Sequence, residues 1–205
     1  MKRIIILIAI SLLFTNNIVA QNDFRGAINY HTSNAASEIN SKNYNDAANS
    51  FQSAIDIFFA EMKKAENQEI FVSTHTEILL VLNYDLLWSL ILILEKGTVK
   101  NYDYLLEGIN TAIQIIASSP FMQRQSLVNG NFTIENLYTA IGTAEYLLGL
   151  DGYKETLIEG GLEGRDYLRR IDVAKSYGPD YHPEITPIFS ISTKQRILKL
   201  NELQR

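Results

Sequence analysis

One spacing of side chains constrains what this chain can fold into more than any other feature. Intervals of three, four and three residues separate Tyr44, Ala47, Phe51 and Ala54. Because three and four residues both come close to one helical turn, these side chains share one face of a helix. The same intervals recur further along the chain, at Tyr102, Leu105, Ile109 and Ala112. The repeated spacing therefore predicts an all-α protein.

Helical periodicity and the polar breaks between periodic stretches predict about seven helices. Residues 21–176 divide into three pairs of helices, and the second helix of each pair begins with a tyrosine, at Tyr44, Tyr102 and Tyr153. Two helices joined by so short a break pack antiparallel, as an αα-hairpin. Residues 177–205 follow as a segment that contains proline and tyrosine and ends in a helix. We expect this segment to pack on the three hairpins.

Two capping boxes predict where helices begin. In a capping box a Ser or Thr side chain caps the helix, and a Glu or Gln three residues later bonds back to the cap. Thr74 and Glu77 fit this pattern and predict the start of the third helix. Ser192 and Gln195 also fit it and predict the start of the last helix, which we expect to end near Leu203.

The third helix carries a long apolar stretch, Ile78 to Leu94. A transmembrane helix needs about 20 apolar residues, and residues 78–94 are nearly enough. Asn83 and Asp85 lie near the middle, however, where an Asp costs roughly 2.5–3.5 kcal/mol on membrane-insertion scales. A helix that is apolar all round is also typical of the buried centre of a helical protein. The pattern favours a core helix, with a membrane span as the alternative.

Three glycines, Gly160, Gly161 and Gly164, interrupt the predicted sixth helix. Each costs up to about 1 kcal/mol in a helix interior. Close approach to the fifth helix, at Ala140 and Ala144, would offset that cost. The alternative interpretation is that the helix breaks there.

The first twenty residues resemble an export signal. Lys2 and Arg3 precede an apolar run from Ile4 to Phe14, and Ala20 provides a small residue for cleavage. This pattern predicts a cleaved signal peptide at residues 1–20 and a periplasmic, outer-envelope-associated or secreted protein. The chain contains no cysteine, which excludes a bacterial lipoprotein anchor.

Composition and motifs exclude several classes of function. The formal net charge is −5 and there is no basic stripe to neutralise phosphates, so nucleic acid is not an expected partner. His31, His75 and His182 lie far apart in the sequence, and none belongs to a metal-binding spacing. No nucleophile elbow, phosphate loop or dinucleotide fingerprint occurs. We therefore expect no metal, no cofactor and no catalysis.

Tyr177, Tyr181 and His182 are the candidate partner-binding residues, because exposed aromatic rings beside prolines make stiff contact surfaces. In the competing interpretation these rings pack the last helix against the hairpins. Residues 165–170 offer a second candidate, an anion-binding edge. Its competing interpretation is a solvated helix face on which Asp166 and Arg170 form an i, i+4 ion pair.

Two carboxylates keep an enzymatic alternative open. Asp85 is an acid within an apolar helix, and burial would raise its pKa. With an acid from another helix, such as Glu145, it would make an all-helical hydrolase or lyase. Far more often, such a residue bonds to a neighbouring helix or faces a cleft.

The pattern of Tyr44, Ala47, Phe51 and Ala54 resembles the second helix of a tetratricopeptide repeat (TPR). The resemblance covers residues 35–55 well and the later hairpins less well, and the hairpins are spaced more widely than the family's repeats. It implies a divergent, TPR-like α-solenoid of three stacked hairpins. It also implies a scaffold or adaptor that binds a protein or peptide on an extended concave surface.

Overall fold

The computed structural model describes residues 24–96, 102–118, 133–178 and 181–203. Within these ranges the chain forms eight helices and no strand, which confirms the all-α prediction. The helices are α1 (24–40), α2 (Tyr44–Lys64), α3 (Gln68–Lys96), α4 (Tyr102–Ser118), α5 (Ile134–Leu147), α6 (Tyr153–Glu159), α7 (Gly161–Tyr177) and α8 (Ile191–Leu203). The signal peptide predicted at residues 1–20 lies outside the described residues.

The first three helices pack through the side chains that the helical spacing singled out. Ala47, Phe51 and Ala54 on α2 are completely buried. An aromatic cluster joins the three helices, since the ring of Phe24 on α1 lies 6.1 Å from Phe58 on α2 and 5.8 Å from Phe71 on α3. Small residues allow α2 to come close to its neighbours, and the aromatic rings fill the remaining space.

Helix α3 begins ten residues before its predicted apolar core, so the capping-box prediction at Thr74 is wrong. Asn67 caps the helix instead, because its side-chain oxygen accepts a hydrogen bond from the Ile70 N–H at 3.0 Å. The Thr74 hydroxyl donates to the Ile70 carbonyl at 2.8 Å, one helical turn back. Hydroxyls can bond back in this way inside a helix, so a threonine followed by an acid need not mark a helix start.

Helix α3 is the centre of the molecule. By length and composition it is the one helix in the described ranges that could span a membrane, and 72% of its most apolar window is buried by the rest of the chain. Helices α2, α4 and α5 contact it. Segment 181–190 runs antiparallel to it, since the Ile185 N–H donates to Glu95 Oε1 at 3.0 Å and the Ser190 N–H donates to Asp85 Oδ1 at 2.8 Å. This burial favours the core interpretation of residues 78–94.

The predicted sixth helix is two helices, α6 and α7, separated at Gly160. Gly161 has a φ of 65°, in the left-handed region that favours glycine. A Cβ atom at Gly160 would lie 2.5 Å from Thr139 Oγ1, and one at Gly164 would collide with the Leu157 carbonyl oxygen. The helix breaks, as the alternative interpretation held, and the close approach is to Thr139 and Leu157 rather than to Ala140 and Ala144.

The last helix begins at Ile191, one residue before the predicted Ser192, and is described as far as Leu203. Its cap is Ser190, whose Oγ accepts a hydrogen bond from the Thr193 N–H at 3.4 Å. Arg196 on α8 donates to Thr32 and, at 2.9 Å, to Asn29 Oδ1, both on α1. The C-terminal helix therefore packs against the N-terminal helix.

Candidate functional site

Two neighbouring surfaces near the C-terminus carry the candidate functional residues. The first, here called the tyrosine groove, is a shallow depression of about 470 Å³ between α7 and the segment that follows it. Its lining consists of the apolar or aromatic residues Val173, Ala174, Tyr177, Tyr181 and Pro183 together with Arg169, Arg170 and Glu184.

The tyrosine groove forms because the chain turns back at the end of α7. Gly178, at the end of α7, has a φ of 131°, which a residue with a side chain rarely adopts. The Tyr181 N–H then donates to the Gly178 carbonyl at 3.2 Å. This turn brings the rings of Tyr177 and Tyr181 within 5.3 Å of each other.

The structure brings two of the three predicted partner-binding residues together. Tyr177 and Tyr181 are 72% and 56% exposed, so the competing interpretation, in which they pack the last helix, is wrong. Ile185 and Phe189 are the buried residues that hold this segment instead. His182 is exposed but points toward α5, where its Nδ1 lies 3.2 Å from the Tyr146 hydroxyl.

The second surface, here called the Trp88 cleft, is a cleft of about 430 Å³ bounded by α3, α5, α7 and residues 185–188. Its lining is mostly apolar and includes a few polar side chains. The lining residues are Trp88, Thr139, Thr143, Leu162, Glu163, Asp166, Tyr167, Arg170, Ile185, Thr186 and Ile188. An apolar cleft with a few polar groups is the usual form of a ligand site.

Three polar atoms on residues of this lining are shielded from solvent and have no partner of close hydrogen-bond geometry among the described residues. They are the Trp88 indole N–H, the Tyr167 hydroxyl and the Nε–H of Arg170. The Trp88 indole nevertheless lies within hydrogen-bonding reach of Tyr84, where it opposes the rise in that residue's pKa that burial causes. Trp88 is 1% exposed and Tyr167 is 7% exposed. Because these three atoms are shielded from solvent while the cleft is empty, they do not face its interior.

The ion pair predicted between Asp166 and Arg170 is wrong. Asp166 pairs with Arg169 instead, three residues on, at 2.8 Å, and both side chains are exposed. Arg170 turns toward segment 181–190, where it donates to the Glu184 carbonyl and, at 3.5 Å, to the Thr186 hydroxyl. Its guanidinium also lies 5.4 Å from the centre of the Tyr167 ring. The two adjacent arginines therefore differ: Arg169 is solvated, and Arg170 borders both surfaces.

The two carboxylates of the enzymatic alternative are not brought together by any hydrogen bond or cleft in the described residues. Asp85 is buried, and its oxygens accept hydrogen bonds from Ser190 and Thr193. Burial raises the pKa of Asp85 to about 6, against the opposing effect of these bonds. Glu145 is half-buried on α5, and its Oε2 has no described hydrogen-bond partner. No group of three His, Asp or Glu side chains in the described ranges is placed to hold a metal ion.

Sequence reasoning missed the Trp88 cleft, although several of its residues, Trp88 and Arg170 among them, lay within stretches that it singled out. Trp88 belongs to the apolar run 78–94, where it is indistinguishable from core residues. Arg170 belongs to the candidate anion-binding edge 165–170, and only the pairing of Asp166 with Arg169 shows that Arg170 remains available.

Comparison with known proteins found no matching family model, no matching curated protein and no matching solved structure. Function is therefore inferred from the residues of this chain alone.

Proposed function

We propose that this protein is an exported, TPR-like helical protein that binds a protein or peptide partner at the tyrosine groove and performs no catalysis. The observation that carries the proposal is the pair of exposed rings, Tyr177 and Tyr181, held 5.3 Å apart beside the exposed Val173. Tyrosine is enriched at protein interfaces because its ring offers a large contact area and its hydroxyl remains able to bond to water or a partner.

A rigid base under these rings supports a binding role. On the N-terminal side of Tyr177, the buried side chains of Tyr167, Ile171 and Ala174 anchor α7. Beyond Tyr181, the chain is anchored to α3 by Ser190. Rings fixed in this way lose little conformational entropy when a partner binds, which favours affinity.

The contacts between helices support the TPR-like part of the proposal. Helix α3 contacts α4, its partner in the second predicted hairpin, and α5 contacts α6, its partner in the third. The first helices of these two hairpins, α3 and α5, also contact each other. Stacked hairpins in a repeat array make contacts of this kind, and such arrays present extended binding surfaces.

Peptide display on the purified protein tests the binding role. We expect selected peptides to lose at least about tenfold in affinity for the double variant Tyr177→Ser, Tyr181→Ser, since aromatic anchors carry much of an interface's energy. Tyr30→Ser is the matched control, because Tyr30 is 64% exposed on α1. Peptides that bind the double variant as well as the native protein, or a selection that yields no binder, would contradict the proposal.

Export is tested separately. Amino-terminal sequencing of the protein recovered from the cell envelope or the medium should begin at Gln21, the residue after the predicted cleavage point. An intact amino terminus at Met1 would contradict the export proposal and leave the binding proposal unaffected.

A further inference from the structure

The outer face of α7 carries an inference that goes beyond the binding of a peptide at the tyrosine groove. The inner face of this helix is buried against the rest of the chain. On the outer face, intervals of four, three and four residues separate Leu162, Asp166, Arg169 and Val173. Because these intervals come close to whole helical turns, the four side chains form one line along the helix, here called the α7 ridge.

The whole α7 ridge is exposed. Leu162 is 87% exposed, more than any other large apolar residue that the structure describes, and Val173 is 52% exposed. Between them, Asp166 and Arg169 make an exposed ion pair at 2.8 Å. Single exposed apolar residues are common on protein surfaces. Two that end one line at helical spacing, with opposite charges between them, make a more specific pattern.

The spacing of the α7 ridge is that of a seam between two paired helices. Intervals of four, three and four residues correspond to positions d, a, d and a of a heptad repeat. The midpoint of the ridge lies between positions 167 and 168, since Asp166 and Arg169 are equally far from it, as are Leu162 and Val173. When two copies of one helix pair antiparallel about a two-fold axis, residues equally far from the midpoint oppose each other.

The α7 ridge is therefore complementary to its own reverse. With a two-fold axis at the midpoint, Leu162 opposes Val173 of a second copy, and Asp166 opposes Arg169 of that copy. Each contact occurs twice, so apolar side chains meet apolar ones at both ends and acid meets base at the centre. The one ion pair within each chain is replaced by ion pairs between the chains.

The charges beside the α7 ridge agree with the same pairing. Arg165 and Asp172 are exposed on one flank of the ridge, seven residues apart and on opposite sides of its midpoint. They occupy g positions of the same heptad register, where charged side chains form pairs between helices and set their direction. In the antiparallel arrangement Arg165 lies toward Asp172 of the second copy, again with opposite charges.

We propose that the α7 ridge binds a second copy of this chain, in a two-fold symmetric dimer with antiparallel α7 helices. The charges at the centre fix direction and register, and the apolar ends bury area. One helix ridge offers less than the roughly 800 Å² per partner of a typical stable interface. We therefore expect monomer and dimer to exchange, with a dissociation constant between about 10 μM and about 1 mM. The ridge shares Val173 with the tyrosine groove, and neither tyrosine ring belongs to it.

Charge reversal tests the centre of the dimer. Asp166→Arg places positive side chains at both central positions, and Arg169→Asp places negative side chains at both. Each variant alone opposes like charges, so its self-association should be at least about tenfold weaker than that of the native protein. In an equal mixture of the two variants every positive side chain faces a negative one, so a heterodimer should form. Light scattering over a range of protein concentrations measures the average mass in each sample.

Substitution at an apolar end gives a second measurement. Leu162→Ser alters two contacts of the symmetric dimer at once, so it should weaken self-association at least about tenfold. Leu203→Ser is the matched control, because Leu203 is 76% exposed on α8 and lies outside the ridge. It should associate as the native protein does. Urea unfolding shows that each variant is folded, and substitutions at such exposed positions should change stability by less than about 0.5 kcal/mol.

Three results would overturn the inference. The first is a native protein that stays monomeric up to about 1 mM, which would leave the ridge to solvent or to a different partner. The second is self-association of the charge-reversal variants that equals that of the native protein. The third is a mixture of these variants that associates no more than each does alone. Each leaves the proposal for the tyrosine groove standing, because that groove is tested with peptides, which should bind Leu162→Ser as they bind the native protein.

Discussion

The carboxylate of Asp85 holds Ser190 through two hydrogen bonds across 105 residues of chain. Oδ1 accepts from the Ser190 backbone N–H at 2.8 Å, and Oδ2 accepts from the Ser190 hydroxyl at 2.6 Å. The Thr193 hydroxyl adds a third bond, to Oδ2, at 2.8 Å. A carboxylate near a helix N-terminus is stabilising, because the free N–H groups there carry partial positive charge. The acid of the central helix thus anchors the start of α8.

The burial of Asp85 predicts an unusual dependence of stability on pH. Because burial raises the pKa of Asp85 from 3.8 to about 6, the folded protein binds more protons than the unfolded chain between these values. The contribution of Asp85 to the free energy of unfolding is therefore greatest at about pH 4 and below. It falls as the pH rises through 6, by roughly 3 kcal/mol. Urea unfolding at pH 4, 5, 6 and 7 measures it.

Asp85→Asn isolates this contribution from the other titrating groups. The amide keeps one acceptor and cannot ionise, so the difference in unfolding free energy between the variant and the native protein should shift in favour of the variant by roughly 3 kcal/mol from pH 4 to pH 7. A difference that stays constant across this range would show that Asp85 titrates normally in the folded protein.

Sequence alone identified Asp85 as the unusual acid but could not identify its partner. Helical spacing shows which residues share a face, and it does not show which distant segment covers that face. In this protein, segment 181–190 covers that face of α3. Its prolines predict that it is not helical, but they do not predict its path. For the same reason the Trp88 cleft, which this segment borders, was invisible from sequence.

The glycines of the α6–α7 break make a second prediction. Gly164→Ala should destabilise the protein by about 2 kcal/mol or more, because the added Cβ collides with the backbone carbonyl of Leu157 and backbone atoms cannot turn aside. Thermal unfolding followed by circular dichroism measures the loss.

Gly26→Ala is the matched control for this substitution. Gly26 lies in α1, and a Cβ there has nothing within 4 Å. Alanine is the better helix former by up to about 1 kcal/mol, so this variant should be as stable as the native protein or more so. If both alanine variants have the same stability, the tight packing at Gly164 is absent in solution.

Helix predictions succeeded where one face was apolar and failed where polar side chains bond within the helix. Helix α2 begins at Tyr44 and α6 begins at Tyr153, as the spacing predicts. The start of α3 was missed because Thr74 and Glu77 match a capping box, whereas the Thr74 hydroxyl bonds to the Ile70 carbonyl within the helix. The break at Gly160 was undecided from sequence because glycine serves equally for close approach and for a left-handed turn, and here it does both.

The contact between α8 and α1 makes a third prediction, on local stability. Arg196→Gln removes the bonds to Thr32 and Asn29, so the amides of α8 should exchange with solvent faster while those of α3 change little. Hydrogen exchange measured by mass spectrometry resolves the two helices. Lys199→Gln is the control, since Lys199 is exposed on the same helix. Equal exchange in the two variants would show that Arg196 does not hold α8 in place.

The packing of α2 makes the last prediction. Phe51 and Ala47 are both completely buried, with Ala54 beside them on the same face. Phe51→Ala should therefore cost about 3–5 kcal/mol through the cavity it leaves. Ala47→Leu should cost roughly 1–3 kcal/mol, because three more carbon atoms have no space. On an exposed helix face the first change would be mild and the second neutral or favourable. Urea unfolding separates the two cases, and values within about 0.5 kcal/mol of the native protein for both variants, as at surface positions, would refute the buried packing.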